Sequence, residues 1–119
     1  MLYNKTQKKT IVSKIRFASS FFQRFKGLMF EKKSAFNYAL IFEFPSVSRL
    51  RNSIHMFFVF FPILAVFLDA NKKVVDIAIL KPFCPNYVPK KECKYLIEMP
   101  VSFSKKIKIG DVLDWVVDF

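Results

Sequence analysis

The residue best suited to proton transfer near neutral pH is the single histidine of this 119-residue chain, His55. Histidine is the side chain whose ordinary pKa lies in that range. Catalysis would also require a nucleophile and a carboxylate that orients the imidazole, whereas Phe57 and Val59 would share a strand face with His55. We therefore expect a histidine in the core or in a groove, hydrogen-bonded to backbone. An enzyme with His55 as general base is kept as an alternative.

The two cysteines, Cys84 and Cys93, are separated by eight residues of a proline-rich segment. A disulfide between them would contribute ~2–3 kcal/mol, although free thiols are usual in a reducing cytosol. One histidine and two cysteines cannot supply a structural zinc site of four ligands. We predict a disulfide or two structural thiols, with no metal and no cofactor.

Basic residues are concentrated at the start of the chain. The chain has 20 Lys and Arg against 9 Asp and Glu, a net charge of +11, and residues 1–33 carry most of the excess. Such a region attracts polyanions such as nucleic acid, anionic lipid or an acidic protein, or serves only as a solvated surface. The candidate polyanion-binding residues are Lys5, Lys8, Lys9, Lys14 and Arg16. The only two glycines, Gly27 and Gly110, exclude a glycine-rich phosphate loop.

A run without formal charge, residues 52–68, is the one segment that resembles a membrane span. A straight helix of that length would be about 25 Å long, which is shorter than the hydrocarbon core. Pro62 interrupts it, and its β-branched and aromatic content favours strands. We predict two buried strands joined near Pro62 and no membrane span. Since no secretory signal is visible, we expect a cytoplasmic protein.

Period-two patterns predict a mainly β or α+β domain of six to seven short strands with one or two short helices. One predicted strand runs from Ile11 to Phe17, and another from Ala39 to Phe44 is stopped by Pro45. The turn residues 69–72 should join two strands as a hairpin. Further strands are predicted at 94–99 and 113–119, with a loop at 81–92. Four aspartates are predicted at turns or facing outward: Asp69, Asp76, Asp111 and Asp114.

The helix is predicted after Ser20, a plausible N-cap, with Gln23 completing a capping box. Phe21, Phe25 and Leu28 would share one face, and Gly27 can end the helix with positive φ. Residues 1–10 are expected to form a basic arm or first strand, and 11–119 a single domain.

Several short motifs occur together along the chain: Gly27-Leu28-Met29-Phe30, Ile54-His55-Met56-Phe57-Phe58, Pro62, Phe67-Leu68-Asp69, Glu98-Met99-Pro100 and Gly110-Asp111. In this order they resemble a prokaryotic family known as domain of unknown function 192. The resemblance implies a compact β-rich domain like a small barrel, and it implies no settled activity. The chain departs from the family pattern at Leu64, where an Asp is usual, and at Ser102, where a Gly is usual.

We therefore expect a non-catalytic accessory module that binds an unidentified small ligand or protein. The ligand would lie in a groove near Arg24, Gly27, His55 and Met56. One alternative is a nucleic-acid-binding accessory protein that uses the basic N-terminal third. The other is the enzyme with His55 as general base.

Overall fold

Two β-sheets form the framework of the computed structural model, which describes residues 1–20, 23 and 26–117. The strands are Leu2–Asn4 (β1), Lys9–Val12 (β2), Ile15–Ala18 (β3), Ala39–Ser48 (β4), Ile63–Leu68 (β5), Val74–Leu80 (β6), Cys93–Met99 (β7) and Leu113–Trp115 (β8). Two 3-10 helices, Lys33–Ala35 and Val101–Lys106, lie between strands. The predicted β-rich class is confirmed.

The larger sheet has the strand order β3-β4-β7-β5-β6, and the smaller one has the order β2-β1-β8. Only β3 and β4 pair in parallel among the pairs of named strands. β5 and β7 are central strands of the larger sheet, and nearly all their residues are buried. Both faces of this sheet are therefore covered.

One face of the larger sheet packs against the smaller sheet. Alternate residues of its strands point to this side, as the period of two requires. Together with residues of the smaller sheet and Ile107 they form one core cluster: Leu2, Ile11, Val12, Ala39, Ile41, Leu64, Val66, Leu68, Val74, Ile97, Met99, Ile107 and Leu113. Leu64 belongs to this core, so the departure from the family pattern there lies on the face turned towards the smaller sheet.

The other face is covered by loops. Residues 26–38, 54–61 and 81–89 lie over it and contribute buried side chains such as Leu28, Met56 and Phe61 to a second core cluster. The sheet contributes the alternate set of residues, including Phe42, Phe67 and Leu96. The candidate site described below lies on this loop-covered face.

The predicted hairpin is present. β5 and β6 pair antiparallel along their whole length, and the Asp69 carboxylate accepts hydrogen bonds from the backbone N–H groups of Asn71 and Lys73 at 2.9 and 3.0 Å. Lys72 completes the turn with φ of 63°. The carboxylate thus satisfies turn donors, as aspartate commonly does.

Four predictions about strands are wrong in detail. The strand predicted at 113–119 ends at Trp115, and residues 116 and 117 lie outside it. The segment Ile11–Phe17 is divided between β2 and β3, which belong to different sheets. The strand predicted before Pro62 is a loop, because residues 55–62 cover the sheet rather than join it, with Ile54 making one isolated bridge to Tyr87. β4 continues through Pro45, past an irregularity in its pairing with β7. Residues 52–68 therefore form a loop followed by β5.

The predicted capping box is present. Ser20 Oγ accepts a hydrogen bond from the Gln23 N–H at 3.0 Å, and Gln23 Oε1 accepts one from the Ser20 N–H at 3.2 Å. Gly27 donates to the Gln23 carbonyl and has φ of +48°, as expected of a residue that ends a helix. Phe21 and Phe25, predicted to share one helix face with Leu28, lie outside the described residues. Within the described part of the chain, no helix is long and apolar enough to cross a membrane.

Candidate functional site

A cavity of about 470 Å³ opens on the loop-covered face of the larger sheet. Its floor is formed by β4 and β7, and its walls come from the segments 26–29 and 51–55 and from Val59. The apolar lining residues are Leu28, Met29, Phe42, Phe44, Pro45, Ile54, Val59 and Leu96, and the charged or titratable ones are Lys26, Arg51, His55 and Glu98. The cavity is thus mainly apolar, with polar groups at a few points.

Glu98 lies on the floor and is only 5% exposed. Strand alternation on β7 places it on the same face as Leu96, so its side chain points to the cavity side. Its Oε1 has no hydrogen-bond partner among the described residues. Burial raises the pKa of this carboxyl to about 8, so the group is mainly protonated at neutral pH.

A side chain at Gly27 would lie in van der Waals contact with this carboxyl. A Cβ at Gly27 would lie 3.5 Å from Glu98 Oε1 and 3.6 Å from Phe42 Cζ. Gly27 has a positive φ, which residues other than glycine rarely adopt. Glycine therefore ends the helix and leaves space above the Glu98 carboxyl at the same position.

His55 is half-buried on the cavity wall. Its Nδ1 accepts a hydrogen bond from the backbone N–H of Phe57 at 3.1 Å, so the neutral ring carries its proton on Nε2. The imidazole also packs against the Phe57 ring, with centroids 5.2 Å apart. The predicted backbone hydrogen bond is present, and it fixes the ring at the cavity rather than in the core.

Two cationic side chains border the cavity. Lys26 Nζ makes a salt bridge of 3.1 Å with Glu31, which partly neutralises it. Arg51 is exposed, and no salt bridge to it is found among the residues that the structure describes. Arg51 is therefore the cation best placed to meet an anionic group.

Asn52 anchors the wall that carries Arg51. Its side-chain amide donates hydrogen bonds to the carbonyls of Ser46 and Cys93, at 3.0 and 2.7 Å. Two residues later, the backbone of Ile54 exchanges hydrogen bonds with Tyr87. The wall is thus tied to both the sheet and the 81–89 loop.

The predicted ligand-binding residues separate into three groups. Gly27 and His55 line the cavity. Met56 is completely buried beneath the loop, and its N–H bonds to the Cys84 carbonyl at 2.7 Å, so its role is packing. Arg24 lies outside the described residues.

Sequence reasoning missed Glu98 as a site residue. The available signal was a lone carboxylate on the same face as Leu96 in the strand predicted at 94–99, within the Glu98-Met99-Pro100 motif. Such a position is costly for a charge and therefore points to a special role.

Two aspartates predicted as outward-facing or turn residues are buried. Asp76 is completely buried and accepts hydrogen bonds from the Tyr87 hydroxyl at 2.6 Å and the Lys90 N–H at 3.1 Å. Desolvation and this bond to Asp76 raise the pKa of Tyr87. The prediction for Asp76 is wrong because this carboxylate holds the 81–92 loop against β6.

Asp111 is also buried, although a turn position was correctly expected. Its Oδ2 accepts hydrogen bonds from Asn4 at 2.8 Å, Gln7 at 2.7 Å and the Lys108 N–H at 2.9 Å. Burial by itself would raise the pKa of Asp111, but these hydrogen bonds outweigh it and lower the pKa. The carboxylate thus joins the turn after β1 to the turn before β8.

The candidate polyanion-binding residues lie in β2 and β3 and in the connections between the first three strands. Lys5 and Lys8 are exposed in the turn after β1, and Lys9 begins β2 and is half-buried. Lys14 is exposed between β2 and β3, and the Arg16 guanidinium stacks over the Tyr38 ring at 4.2 Å. These five residues do not contribute to the cavity lining.

The two cysteines are free and do not form the disulfide considered above. Cys84 Sγ donates to the Asn86 carbonyl and the buried Cys93 Sγ to the Ser48 carbonyl, at 3.7 and 3.6 Å. Burial raises the pKa of Cys93 to about 11. No group of three or more His, Cys, Asp or Glu side chains in the described ranges could hold a metal ion.

The fold and the cavity define a small two-sheet domain whose site is bounded by loops on one face of the larger sheet. The chain belongs to the DUF192 family, whose model, described as "Uncharacterized ACR, COG1430", matches residues 2–115. A UPF0127 protein of Thermococcus sibiricus is 44% identical over 99% of this chain and 76% of its own length. A UPF0127 protein of Pyrococcus furiosus is 40% identical over 96% of this chain and 97% of its own length.

Two crystal structures share the fold. One, of a protein of unknown function from Novosphingobium aromaticivorans, has a TM-score of 0.72 and 20% identity, covering 85% of this chain and 74% of that one. The other, of a proposed transcription regulator from Sinorhizobium meliloti, has a TM-score of 0.75 and 19% identity, covering 84% and 79%. At these identities the likeness concerns the fold.

Proposed function

We propose that the protein is a non-catalytic binding domain that takes up a small amphipathic organic acid in the Glu98 cavity. A volume of about 470 Å³ falls in the range of small-molecule sites, which are largely apolar with a few orienting polar groups. The lining of this cavity has that composition. A cytoplasmic location, expected from the sequence, is part of the same proposal.

The observation that carries the proposal is that Glu98 Oε1, on the cavity floor, has no hydrogen-bond partner in the part of the chain that the structure describes. A buried polar atom without a partner is costly, and a ligand that bonds to it would remove that cost. Because the carboxyl holds its proton at neutral pH, it can donate one hydrogen bond and accept another. The inner end of the ligand is therefore a neutral polar group such as a hydroxyl, carbonyl or amide.

The outer end of the ligand is anionic in this proposal. Arg51 offers a planar set of donors suited to a carboxylate or phosphate, and Lys26 adds positive charge on the same border. Between the two ends, Phe42, Phe44 and Leu96 offer apolar contact. An oxo or hydroxy acid with a short hydrocarbon body has this pattern.

The test is a thermal-shift and calorimetric screen of oxo and hydroxy acids with hydrocarbon bodies of graded length. A ligand at one hundred times its Kd should stabilise the protein by about 2.7 kcal/mol. Arg51→Gln should weaken binding about tenfold or more, because a charge-assisted hydrogen bond contributes about 1.5–3 kcal/mol.

Arg49→Gln is the matched control, because Arg49 is also exposed and is absent from the cavity lining. Equal effects of the Arg49 and Arg51 variants would contradict the proposal, as would a screen in which no acid binds. Turnover of a bound acid that disappears in a folded His55→Ala variant would favour the enzyme alternative instead.

Nucleic-acid binding is the second candidate, and one observation favours it. The Lys106 ammonium bonds to the Ile11 carbonyl at 3.3 Å, and the Asn4 amide bonds to the Lys106 carbonyl at 3.0 Å. The second 3-10 helix and its end therefore add Lys105, Lys106 and Lys108 to the basic residues that follow β1. This surface combines basic residues from distant parts of the chain.

Binding to duplex and single-stranded oligonucleotides between 50 and 200 mM salt tests this candidate. The logarithm of the affinity should fall with the logarithm of the salt concentration by about 0.9 for each duplex phosphate neutralised. The double change Lys5→Gln and Lys8→Gln should lower the affinity and the slope, unlike Lys90→Gln with Lys91→Gln as the control. Equal losses of affinity in the two double variants would show that net charge alone causes the binding, and would contradict a specific basic surface.

A further inference from the structure

Four phenylalanines form an exposed cluster beside the cavity, which we call the phenylalanine patch: Phe30, Phe58, Phe60 and Phe83. Their side chains are exposed by 65, 45, 61 and 44%. The rings of Phe30 and Phe58 stack at 4.9 Å, and Phe83 contacts Phe58 at 6.1 Å and Phe60 at 5.1 Å. An exposed apolar surface of this kind indicates an interaction site.

Three members of the patch adopt a backbone conformation that disfavours large side chains. Phe30, Phe58 and Phe83 have φ of 63°, 57° and 60°, in the left-handed region where glycine is the unstrained residue. Replacement of any of these three phenylalanines by glycine would therefore relieve backbone strain. Such strain concentrates at functional sites.

Backbone hydrogen bonds hold the three loops of the patch together. The Phe30 N–H donates to the Phe58 carbonyl at 2.8 Å, and the Phe83 N–H donates to the Met56 carbonyl at 3.0 Å. The Met56 N–H bonds in turn to the Cys84 carbonyl at 2.7 Å. The rings are thus presented by a fixed framework.

The charge around the patch is positive. Lys32, Lys33 and Lys81 are exposed and lie within three residues of Phe30 or Phe83 in sequence. Within the loops that cover this face, at 26–38, 54–61 and 81–89, the one carboxylate in the sequence is Glu31, and it is bonded to Lys26. Two copies of the chain joined patch to patch would bring these cations together, whereas an anionic surface would be attracted.

We propose that the phenylalanine patch docks the protein on the surface of an anionic lipid bilayer. Aromatic rings would enter the interface between headgroups and acyl chains, and the lysines would contact lipid phosphates. Apolar contact together with basic residues is the usual combination for peripheral binding. This role is independent of the ligand proposed for the cavity.

The test is cosedimentation with phosphatidylcholine vesicles that contain either no phosphatidylglycerol or about one third of it. We expect binding to the anionic vesicles that weakens as salt is added. Lys81→Gln should lower the partition coefficient about fivefold, the factor for one lysine near an anionic surface. The matched control is Lys90→Gln, an exposed lysine that lies outside the patch.

The aromatic contribution is tested with Phe58→Gly and Phe30→Gly, because glycine suits the backbone at both positions. Each should reduce vesicle binding at least fivefold while the far-ultraviolet circular dichroism stays unchanged. Ile109→Ser is the control, since Ile109 is 63% exposed outside the patch. Absence of vesicle binding would overturn the proposal, as would equal losses from the control, or dimerisation that Phe58→Gly abolishes without any vesicle binding.

Discussion

Glu98 Oε1 lies 3.5 Å from the point that a Cβ at Gly27 would occupy. A residue that ends the helix and a residue in a central strand therefore share the floor and wall of one cavity. The absence of a side chain at Gly27 leaves the carboxyl accessible to a ligand. This relationship explains how a carboxyl buried on the floor can be reached from the cavity.

The burial of Glu98 should make stability depend on pH. Its folded pKa of about 8 exceeds its ordinary value of 4.5, so the folded state keeps a proton that the unfolded state releases. The free energy of unfolding should therefore fall as the pH rises from about 4.5 to 8. Relative to Glu98→Gln, the wild type should lose roughly 3–5 kcal/mol across this window.

Urea unfolding of both proteins at pH 5, 6.5 and 8 measures this difference. Glu43→Gln is a suitable control because Glu43 is exposed on the neighbouring strand β4. A constant difference between the wild type and Glu98→Gln across the three pH values would contradict the assignment of a protonated buried carboxyl.

Loss of the Asp111 carboxylate should weaken the connection between the turn after β1 and the turn before β8. Asp111→Ala removes the acceptor for Asn4, Gln7 and the Lys108 N–H, and should cost ~2–4 kcal/mol. In the wild type, the Asp111 carboxylate should add to the free energy of unfolding above about pH 4. This contribution should be lost as the pH falls through the lowered pKa of the folded state. Chemical unfolding between pH 2 and 6 measures both effects.

Asp114→Asn is the comparison for Asp111. Asp114 is paired with Lys72 at 2.9 Å, but both side chains are partly exposed, so this pair should contribute less than about 1 kcal/mol. Similar losses from the two aspartate variants would argue against the hydrogen-bond network as the cause.

Tyr87→Phe should loosen the loop that Asp76 holds. The variant removes one of two hydrogen bonds to a buried carboxylate and should cost ~1–3 kcal/mol. Hydrogen exchange should show faster exchange of the Lys90 amide, because that amide shares the same acceptor. Tyr95→Phe, whose ring packs against Trp115, is the control, and equal acceleration in both variants would contradict the prediction.

The two thiols should differ in reactivity. Cys93 is completely buried and burial raises its pKa to about 11, so its thiolate is scarce at pH 8. Alkylation of the native protein at pH 8 should label Cys84 first and Cys93 only after unfolding, as read by peptide mass spectrometry. Equal labelling of both in the native protein would count against the buried position of Cys93.

Local sequence patterns were sufficient to predict part of the fold. The β5–β6 hairpin was predicted because turn residues separate two apolar runs, and β7 because its apolar run is bounded by proline. The capping box at Ser20 and Gln23 was predicted from spacing alone. In each case, the signal and the structure it determines lie within about twenty residues.

The remaining features depend on contacts between distant segments. Residues 55–62 have the composition of a buried strand, but they cover the sheet as a loop, because Met56 and Val59 are buried there without joining the ladder. Burial alone does not distinguish these two states in a sequence. The cavity likewise joins β4 and β7 to the segments 26–29 and 51–55 and to Val59. The sequence pattern marks Glu98 as unusual, but the residues that surround it come from distant parts of the chain.

The pairing of β1 with β8, which aligns Leu2 with Trp115, has a consequence for the order of folding during synthesis. β1 is the central strand of the smaller sheet, so one of its edges stays without a partner until residues 113–115 have left the ribosome. Long-range strand pairs of this kind slow folding, since the closure entropy precedes the stabilising contacts. The side of the larger sheet that β1 covers therefore reaches its final packing only after residues 113–115 have been made.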